Sequence, residues 1–142
     1  MTAVQHWAAH YSGILETLAP AQLDKLAAAT AEDIEFQDPF NHTTTQADFL
    51  AVMADMFERL DWVRFDVHSQ QQNGQEAFIT WTFSAASGKT GEFSVAGSSY
   101  LTANSDGLVT LHRDYWDASE LMQMLPLLGA VIRKVRRKMG HG

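Results

Sequence analysis

The spacing of apolar residues changes once along this 142-residue chain, and the change restricts the fold more than any other feature. In the first 60 residues, apolar side chains recur at helical spacing. From Val63 to Trp116 they alternate at period two, interrupted by turn residues at Asn73-Gly74 and Asp106-Gly107. This second pattern predicts a meander of four antiparallel strands.

Helices followed by a long meander cannot form a parallel doubly wound sheet. We therefore predict an α+β fold, a cone-shaped curved antiparallel sheet that wraps around N-terminal helices. Thr45 and Asp48 predict a capped helix before the sheet, and Asp117 and Glu120 predict a C-terminal helix after it. The chain has the usual length of one domain, so residues 1–142 are predicted to form a single domain.

The predicted strands carry apolar residues on both faces. Phe78 lies opposite Ile79, and Val109, Leu111 and Tyr115 lie opposite Leu108 and Trp116. The helices can cover only one face. Because the outer face would otherwise expose an apolar patch, we predict a homodimer formed through the sheet.

Composition excludes several classes of function. The chain has no cysteine, which excludes disulfides and thiolate chemistry. No apolar run approaches the roughly 20 residues of a membrane span, and no secretory signal is recognisable, so we predict a cytoplasmic protein without a membrane span. Residues 1–132 hold five basic and 17 acidic residues, a net charge of −12. Such an acidic body repels phosphate backbones, and we predict no nucleic-acid partner.

The other five basic residues lie within the last ten positions of the chain. The segment from Pro126 to Met139 is typical of an amphipathic basic helix, which could lie on a membrane or dock on an acidic partner. A simpler interpretation is a solvated helix end whose cations face the negative pole of the helix dipole. Its apolar side could also cover a pocket or a partner subunit.

Asp38 is the first candidate for a functional carboxylate. It follows an apolar strand and precedes Pro39, which holds its neighbour in an extended geometry. Apolar surroundings raise the pKa of a carboxyl group and make it a useful proton acceptor. The alternative is that Asp38 caps the turn before Pro39, and spacing alone favours this structural role.

Asp114 is the second candidate. On a strand, His112, Asp114 and Trp116 share one face with Leu108 and Thr110. A histidine and a carboxylate on an otherwise apolar face are costly unless they are paired or used. We therefore predict that both point into the cone, with Asp114 ranked above Asp38.

The two segments around these aspartates resemble the SnoaL-like and ketosteroid-isomerase-like branch of the nuclear-transport-factor-2-like superfamily. Asp-Ile-Glu-Phe-Gln-Asp-Pro-Phe, ending at Phe40, is similar to the segment that carries the general base of ketosteroid isomerases. The resemblance implies a base role for Asp38, an oxyanion-hole role for Tyr11, and an acid or base role for Asp114 beside His112. It implies neither a metal nor a cofactor.

Two departures from the family pattern limit the reaction. The Arg-x-Asp of epoxide hydrolases with this fold is replaced by Thr80-Trp81-Thr82-Phe83, which lacks the acid partner. The second, protonated aspartate of ketosteroid isomerases is replaced within Gly97-Ser98-Ser99-Tyr100, where a hydroxyl could donate more weakly. Neither epoxide opening nor ketosteroid isomerisation itself is supported.

The resulting hypothesis is a cofactor-free proton-transfer enzyme of the isomerase, cyclase or dehydratase type. Its small hydrophobic ligand would occupy a pocket lined by Phe36, Phe40, Met53, Phe57, Trp81, Phe83 and Trp116. The alternative is a non-catalytic ligand-binding or dimerisation module of the same fold. The six histidines fall on different elements without metal-ligand spacing, so no metal site is predicted.

Overall fold

The computed structural model describes residues 4–88, 90–123 and 126–140, apart from the side chains of residues 126–128 and 132. Within these residues, three α-helices and two strands occupy the chain up to residue 59, four strands follow, and two α-helices come last. The elements are α1 (Trp7–Glu16), a 3₁₀ turn (Pro20–Gln22), α2 (Leu23–Ala28), β1 (Thr30–Gln37), β2 (His42–Thr43), α3 (Gln46–Arg59), β3 (Trp62–Asn73), β4 (Glu76–Ser87), β5 (Gly91–Ala103), β6 (Val109–Trp116), α4 (Ala118–Met122) and α5 (Pro126–Met139).

Within the described residues, the strands form one sheet in the order β2-β1-β6-β5-β4-β3. The four-strand meander is confirmed, because β3 to β6 pair antiparallel in sequence order. β1 runs parallel to β6, a pairing that the prediction of an antiparallel sheet did not include. The α+β fold of a curved sheet around N-terminal helices is confirmed, and β1 brings Asp38 next to the end of β6.

The helices bury their apolar sides on the concave face of the sheet. α1 packs against β3, and α3 packs against β1. The predicted cap of α3 is confirmed, since the Thr45 hydroxyl accepts a hydrogen bond of 3.2 Å from the Asp48 amide. The largest fully buried side chains come from helices and strands together: Tyr11, Phe36, Phe49, Leu26, Ile34, Ile79, Leu101 and Val109.

A β-bulge corrects the predicted faces of β6. Ala103 pairs with Val109, but the preceding residue Thr102 pairs with Leu111, so Thr110 is the extra residue. Val109 is therefore buried in the core and not on the outer face. Thr110, predicted to share the inner face with His112, instead contacts the Thr102 hydroxyl at 2.8 Å.

The C-terminal segment also differs from the single last helix that was predicted. α4 begins after Asp117, whose carboxylate accepts a hydrogen bond from the Ser119 amide, and it ends at Met122. α5 then begins at Pro126, which has no N–H to continue the preceding helix. None of the helices in the described residues is long and apolar enough to cross a membrane.

Candidate functional site

A chain of hydrogen bonds links helix α1 to strand β6. The Tyr11 hydroxyl lies 2.7 Å from His112 Nδ1, and His112 Nε2 lies 2.7 Å from Asp114 Oδ1. Tyr11 and His112 are buried, and only 12% of the Asp114 side chain is exposed. The structure therefore brings together three of the four predicted catalytic residues.

Two further residues, on the neighbouring strands β5 and β4, extend this series of hydrogen bonds. Ser99 on β5 pairs directly with Asp114 on β6, and its hydroxyl donates to Asp114 Oδ1 at 2.5 Å. The Trp81 indole N–H on β4 donates to the Ser99 hydroxyl oxygen at 2.9 Å. Since Ser99 and Trp81 are both buried, their polar groups have been removed from water and depend on these bonds.

The hydrogen bonds from Ser99 and His112 both end on the same oxygen of Asp114. A carboxylate oxygen can only accept, so His112 Nε2 carries a proton and donates to Oδ1; in a neutral ring, Nδ1 then accepts from the Tyr11 hydroxyl. Oδ1 thus receives two hydrogen bonds, from Ser99 and His112. Oδ2 has no hydrogen-bond partner among the described residues. The carboxylate is held in one orientation with a free oxygen.

Tyr11 is a neutral phenol that is hydrogen-bonded to His112. Burial raises the pKa of the Tyr11 hydroxyl well above its ordinary value of 10.0, and the negative charge of Asp114 raises it further. The phenol therefore keeps its proton at every pH at which the protein would work. Its hydroxyl is occupied by His112, which differs from the oxyanion-hole role implied by the family resemblance.

We expect Tyr11→Phe to change how stability depends on pH. A raised folded-state pKa gives stability that is complete below the unfolded-state pKa, about 10, and that falls as the pH rises towards the folded-state pKa. The wild type should therefore lose about 1.4 kcal/mol per pH unit above pH ~10 relative to the Phe variant. Urea denaturation across this range measures the difference. At neutral pH the variant should be less stable by about 1–3 kcal/mol, because His112 loses a buried partner.

Tyr100 does not obscure that comparison. A hydrogen bond to Glu76 raises the pKa of its exposed hydroxyl, but this contribution is present in both proteins and cancels. Parallel stability curves for the two proteins above pH ~10 would contradict a buried, neutral Tyr11.

Asp38 has a structural use for both of its oxygens. Oδ1 accepts hydrogen bonds from the backbone amides of Phe40 at 2.8 Å and Asn41 at 2.6 Å. The Asn41 side-chain amide donates to Oδ1 at 3.1 Å and to Oδ2 at 3.3 Å. This is the turn-capping arrangement that was the alternative to a base role for Asp38.

Asp114 lies at the border of a cleft of about 310 Å³. The cleft opens where β1 ends and the last residues of β6 continue beyond it, and its walls are Gln37, Asp38, Pro39, Arg113, Asp114, Tyr115 and Trp116. A larger cleft, about 550 Å³, lies at the other end of the sheet around Trp62 and Arg64. We place the candidate site in the smaller cleft, because the larger one contains none of the residues linked to Asp114.

The residues predicted to line the pocket have different environments. Phe36 and Trp81 are buried in the core, where the Phe36 ring lies 5.2 Å from the His112 ring. Phe40 is 54% exposed and is no interior wall, and its ring lies 5.6 Å from that of Trp116, which lines the cleft. The remaining three are partly buried and pack against the core: Met53, Phe57 and Phe83.

Sequence reasoning missed the polar roles of Ser99 and Trp81. Trp81 was predicted only as an apolar wall, and Ser99 only as one of several hydroxyls on β5. The register of β5 and β6 pairs Ser99 with Asp114, while Trp81 pairs with Gly97, two residues before Ser99, and reaches Ser99 diagonally through its indole N–H. Counting outward from the turn at Asp106-Gly107 could have paired Ser99 with Asp114, had the bulge at Thr110 been recognised.

The sequence matches the family model of the SnoaL-like domain over residues 11–112, a span that begins at Tyr11 and ends at His112. The chain belongs to the SnoaL-like family. No curated protein matches its sequence.

Solved structures share the fold of this SnoaL-like domain at low sequence identity. A proposed SnoaL-like polyketide cyclase from Jannaschia sp. CCS1 has a TM-score of 0.74 at 12% identity, covering 87% of this chain and 94% of the other. An LEH-like epoxide hydrolase of M. tuberculosis has a TM-score of 0.68 at 19% identity, with 93% and 95% covered. TerC, crystallised with polyporic acid, has a TM-score of 0.72 at 11% identity, with 87% and 98% covered.

Proposed function

We propose that this SnoaL-like domain is a cofactor-free enzyme that transfers a proton at a carbon atom of a small hydrophobic substrate, with Asp114 as the general base. The observation that carries the proposal is the asymmetry of the Asp114 carboxylate. Ser99 and His112 donate to Oδ1, while Oδ2 has no partner among the described residues and the side chain borders a cleft. A base must be fixed in orientation and still have a free lone pair, and Asp114 meets both requirements.

The chemistry that suits this arrangement is removal of a proton from carbon next to a carbonyl group. Oδ2 would accept the proton, and the electron pair of the C–H bond would move to the carbonyl oxygen as an enolate. The carboxylic acid would then return the proton to another carbon, as in an isomerase. In a cyclase, the enolate carbon would instead bond to a second carbonyl carbon, and the oxygen of that carbonyl would take the proton from the carboxylic acid to become a hydroxyl. Arg113 in the cleft wall supplies a positive charge that favours the enolate.

The cleft favours a small ring compound as substrate. Its volume of about 310 Å³ is at the lower end of the range for small-molecule sites, and Trp116 offers an aromatic surface. The proposed polyketide cyclase from Jannaschia, which shares this fold, is consistent with a ring-forming reaction.

The alternative function is a non-catalytic ligand-binding or dimerisation module. It would be favoured if both candidate aspartates served only as turn caps. Asp38 is such a cap, since all four hydrogen bonds to its carboxylate come from Phe40 and Asn41 in the next turn. Among the described residues, the Asp114 carboxylate accepts no hydrogen bond from a backbone amide, and this difference supports the enzyme over the module.

Deuterium exchange separates the two functions. The protein is incubated in D₂O with a panel of small aromatic ketones, and loss of the proton signals next to the carbonyl is followed by NMR. The enzyme should exchange at least one compound faster than buffer does. Binding of a compound by saturation transfer without exchange of any member of the panel would favour the module.

We also propose a homodimer through the outer face of the sheet. Phe78 and Tyr115 are 53% and 54% exposed on this face, and the Phe78 ring lies 5.1 Å from the ring of Tyr100. Removing these rings from water would stabilise a dimer. Light scattering at micromolar concentration should give twice the chain mass, and Phe78→Lys should give the monomer mass.

A cytoplasmic location remains a prediction of the sequence.

A further inference from the structure

Helix α5 exposes three of its apolar side chains to solvent. Val131, Val135 and Met139 recur every four residues and so lie along one side of the helix, where they are 59%, 49% and 84% exposed. We call these three residues the apolar stripe. Single exposed apolar residues need no explanation, but a continuous stripe along a helix indicates a binding partner.

The contacts of α5 explain why the stripe faces away from the body. Gly129 is buried, and a side chain there would overlap the backbone of Gln123. The Arg133 guanidinium donates to the Gln123 carbonyl at 2.8 Å, and Arg136 lies 3.7 Å from the Asp117 carboxylate. Successive residues turn by about 100°, so Val131, two positions from both Gly129 and Arg133, lies on the opposite side of the helix.

The remaining cations of α5 lie beside the stripe. Lys134 and Lys138 follow Val131 and Val135 by three positions, so each lies next to its valine on the helix surface. Both lysines and Arg137 are exposed, and the segment Pro126–Met139 contains no acidic residue. An apolar stripe bordered by cations is the pattern of a helix that lies in the interface of an anionic bilayer.

We propose that α5 binds this protein to the surface of an anionic phospholipid membrane. The valines and Met139 would enter the region of the acyl chains, while the long side chains of Lys134 and Lys138 reach the headgroups. The acidic body does not prevent this contact, because charges farther than about 8 Å are screened at physiological ionic strength. A nucleic acid would use the cations but would leave the stripe exposed to water.

Vesicle sedimentation with the full chain tests the proposal. Vesicles of phosphatidylcholine with phosphatidylglycerol should bind the protein, and vesicles of phosphatidylcholine alone should bind it far more weakly. Added salt should weaken the binding to the anionic vesicles. Equal binding to both vesicles, or binding to neither, would overturn the proposal.

Two double variants separate the contributions of the stripe and of the lysines. Val131→Ser with Val135→Ser keeps every charge and should lower the vesicle partition coefficient at least about tenfold. Lys134→Gln with Lys138→Gln should lower it about thirtyfold. The matched control, Lys25→Gln with Arg59→Gln, makes the same change in net charge on the body and should have little effect.

Three results would count against the membrane surface. One is a loss in the control variant equal to that of the lysine variant. Another is unchanged vesicle binding by the serine variant, which would mean that the stripe stays outside the bilayer. A third is a dimer mass in light scattering for the wild type and a monomer mass for the serine variant only, with the lysine and control variants still dimeric. A second copy of the chain, and not a membrane, would then cover the stripe. Circular dichroism verifies that each variant is folded.

Discussion

Asp114→Asn should lower kcat for proton transfer by about 10²- to 10⁴-fold, the usual contribution of a general base, while the fold is retained. The asparagine Oδ1 can still accept from Ser99 and His112, so the hydrogen bonds that orient the side chain persist. The amide nitrogen takes the place of Oδ2 and has no lone pair to accept a proton. Initial rates on any compound that exchanges in D₂O, together with urea denaturation, measure both effects.

Asp38→Asn is the matched control for that experiment. It removes the same charge from the wall of the same cleft, yet its Oδ1 can keep the hydrogen bonds from the Phe40 and Asn41 amides. Its kcat should stay close to that of the wild type. An inactive Asp38 variant beside an active Asp114 variant would transfer the role of base to Asp38.

The change of hydrophobic period was sufficient to predict the fold, because the helices and long strands here follow their local patterns. The short strand before Asp38 was also predicted, but not its parallel pairing with β6, which depends on contacts distant in sequence. Val109 was wrongly predicted to lie on the outer face of the sheet. The extra residue at Thr110 reverses the alternation of faces for the residue that precedes it. Period alone cannot locate such an insertion.

The candidate site could be predicted only in part for a related reason. His112 and Asp114 could be placed on one face because they are two residues apart on one strand, and their side chains are hydrogen-bonded. Tyr11 was implied by a family resemblance, but its partner is 101 positions away in sequence, and the resemblance suggested a different role for its hydroxyl. Ser99 and Trp81 entered through the register of three strands, which the sequence does not specify residue by residue.

Gly97→Ala should have the largest effect on stability among the changes considered outside the hydrogen-bonded chain, because it displaces Trp81. Gly97 pairs with Trp81 across β4 and β5, and a methyl group at Gly97 would overlap the six-membered ring of the indole. The Trp81 side chain is buried, and the N–H of its five-membered ring donates to Ser99, so the indole cannot move without loss. We expect a decrease of about 1–3 kcal/mol in the free energy of unfolding, the usual cost of overpacking a core.

The same substitution should also reduce activity, because a displaced indole no longer donates to Ser99, which orients Asp114. Gly13→Ala is the control: Gly13 lies in α1 with no atom within 4 Å of an added methyl, and alanine there should stabilise the helix by up to about 1 kcal/mol.

Trp81→Phe replaces the two-ring indole by a single, smaller ring and makes room for the methyl group at residue 97. The double variant Gly97→Ala with Trp81→Phe should therefore cost less than the sum of the two single changes. Strict additivity in urea denaturation would mean that Gly97 is not required for the close approach of Trp81, and its effect on Asp114 would then need another cause.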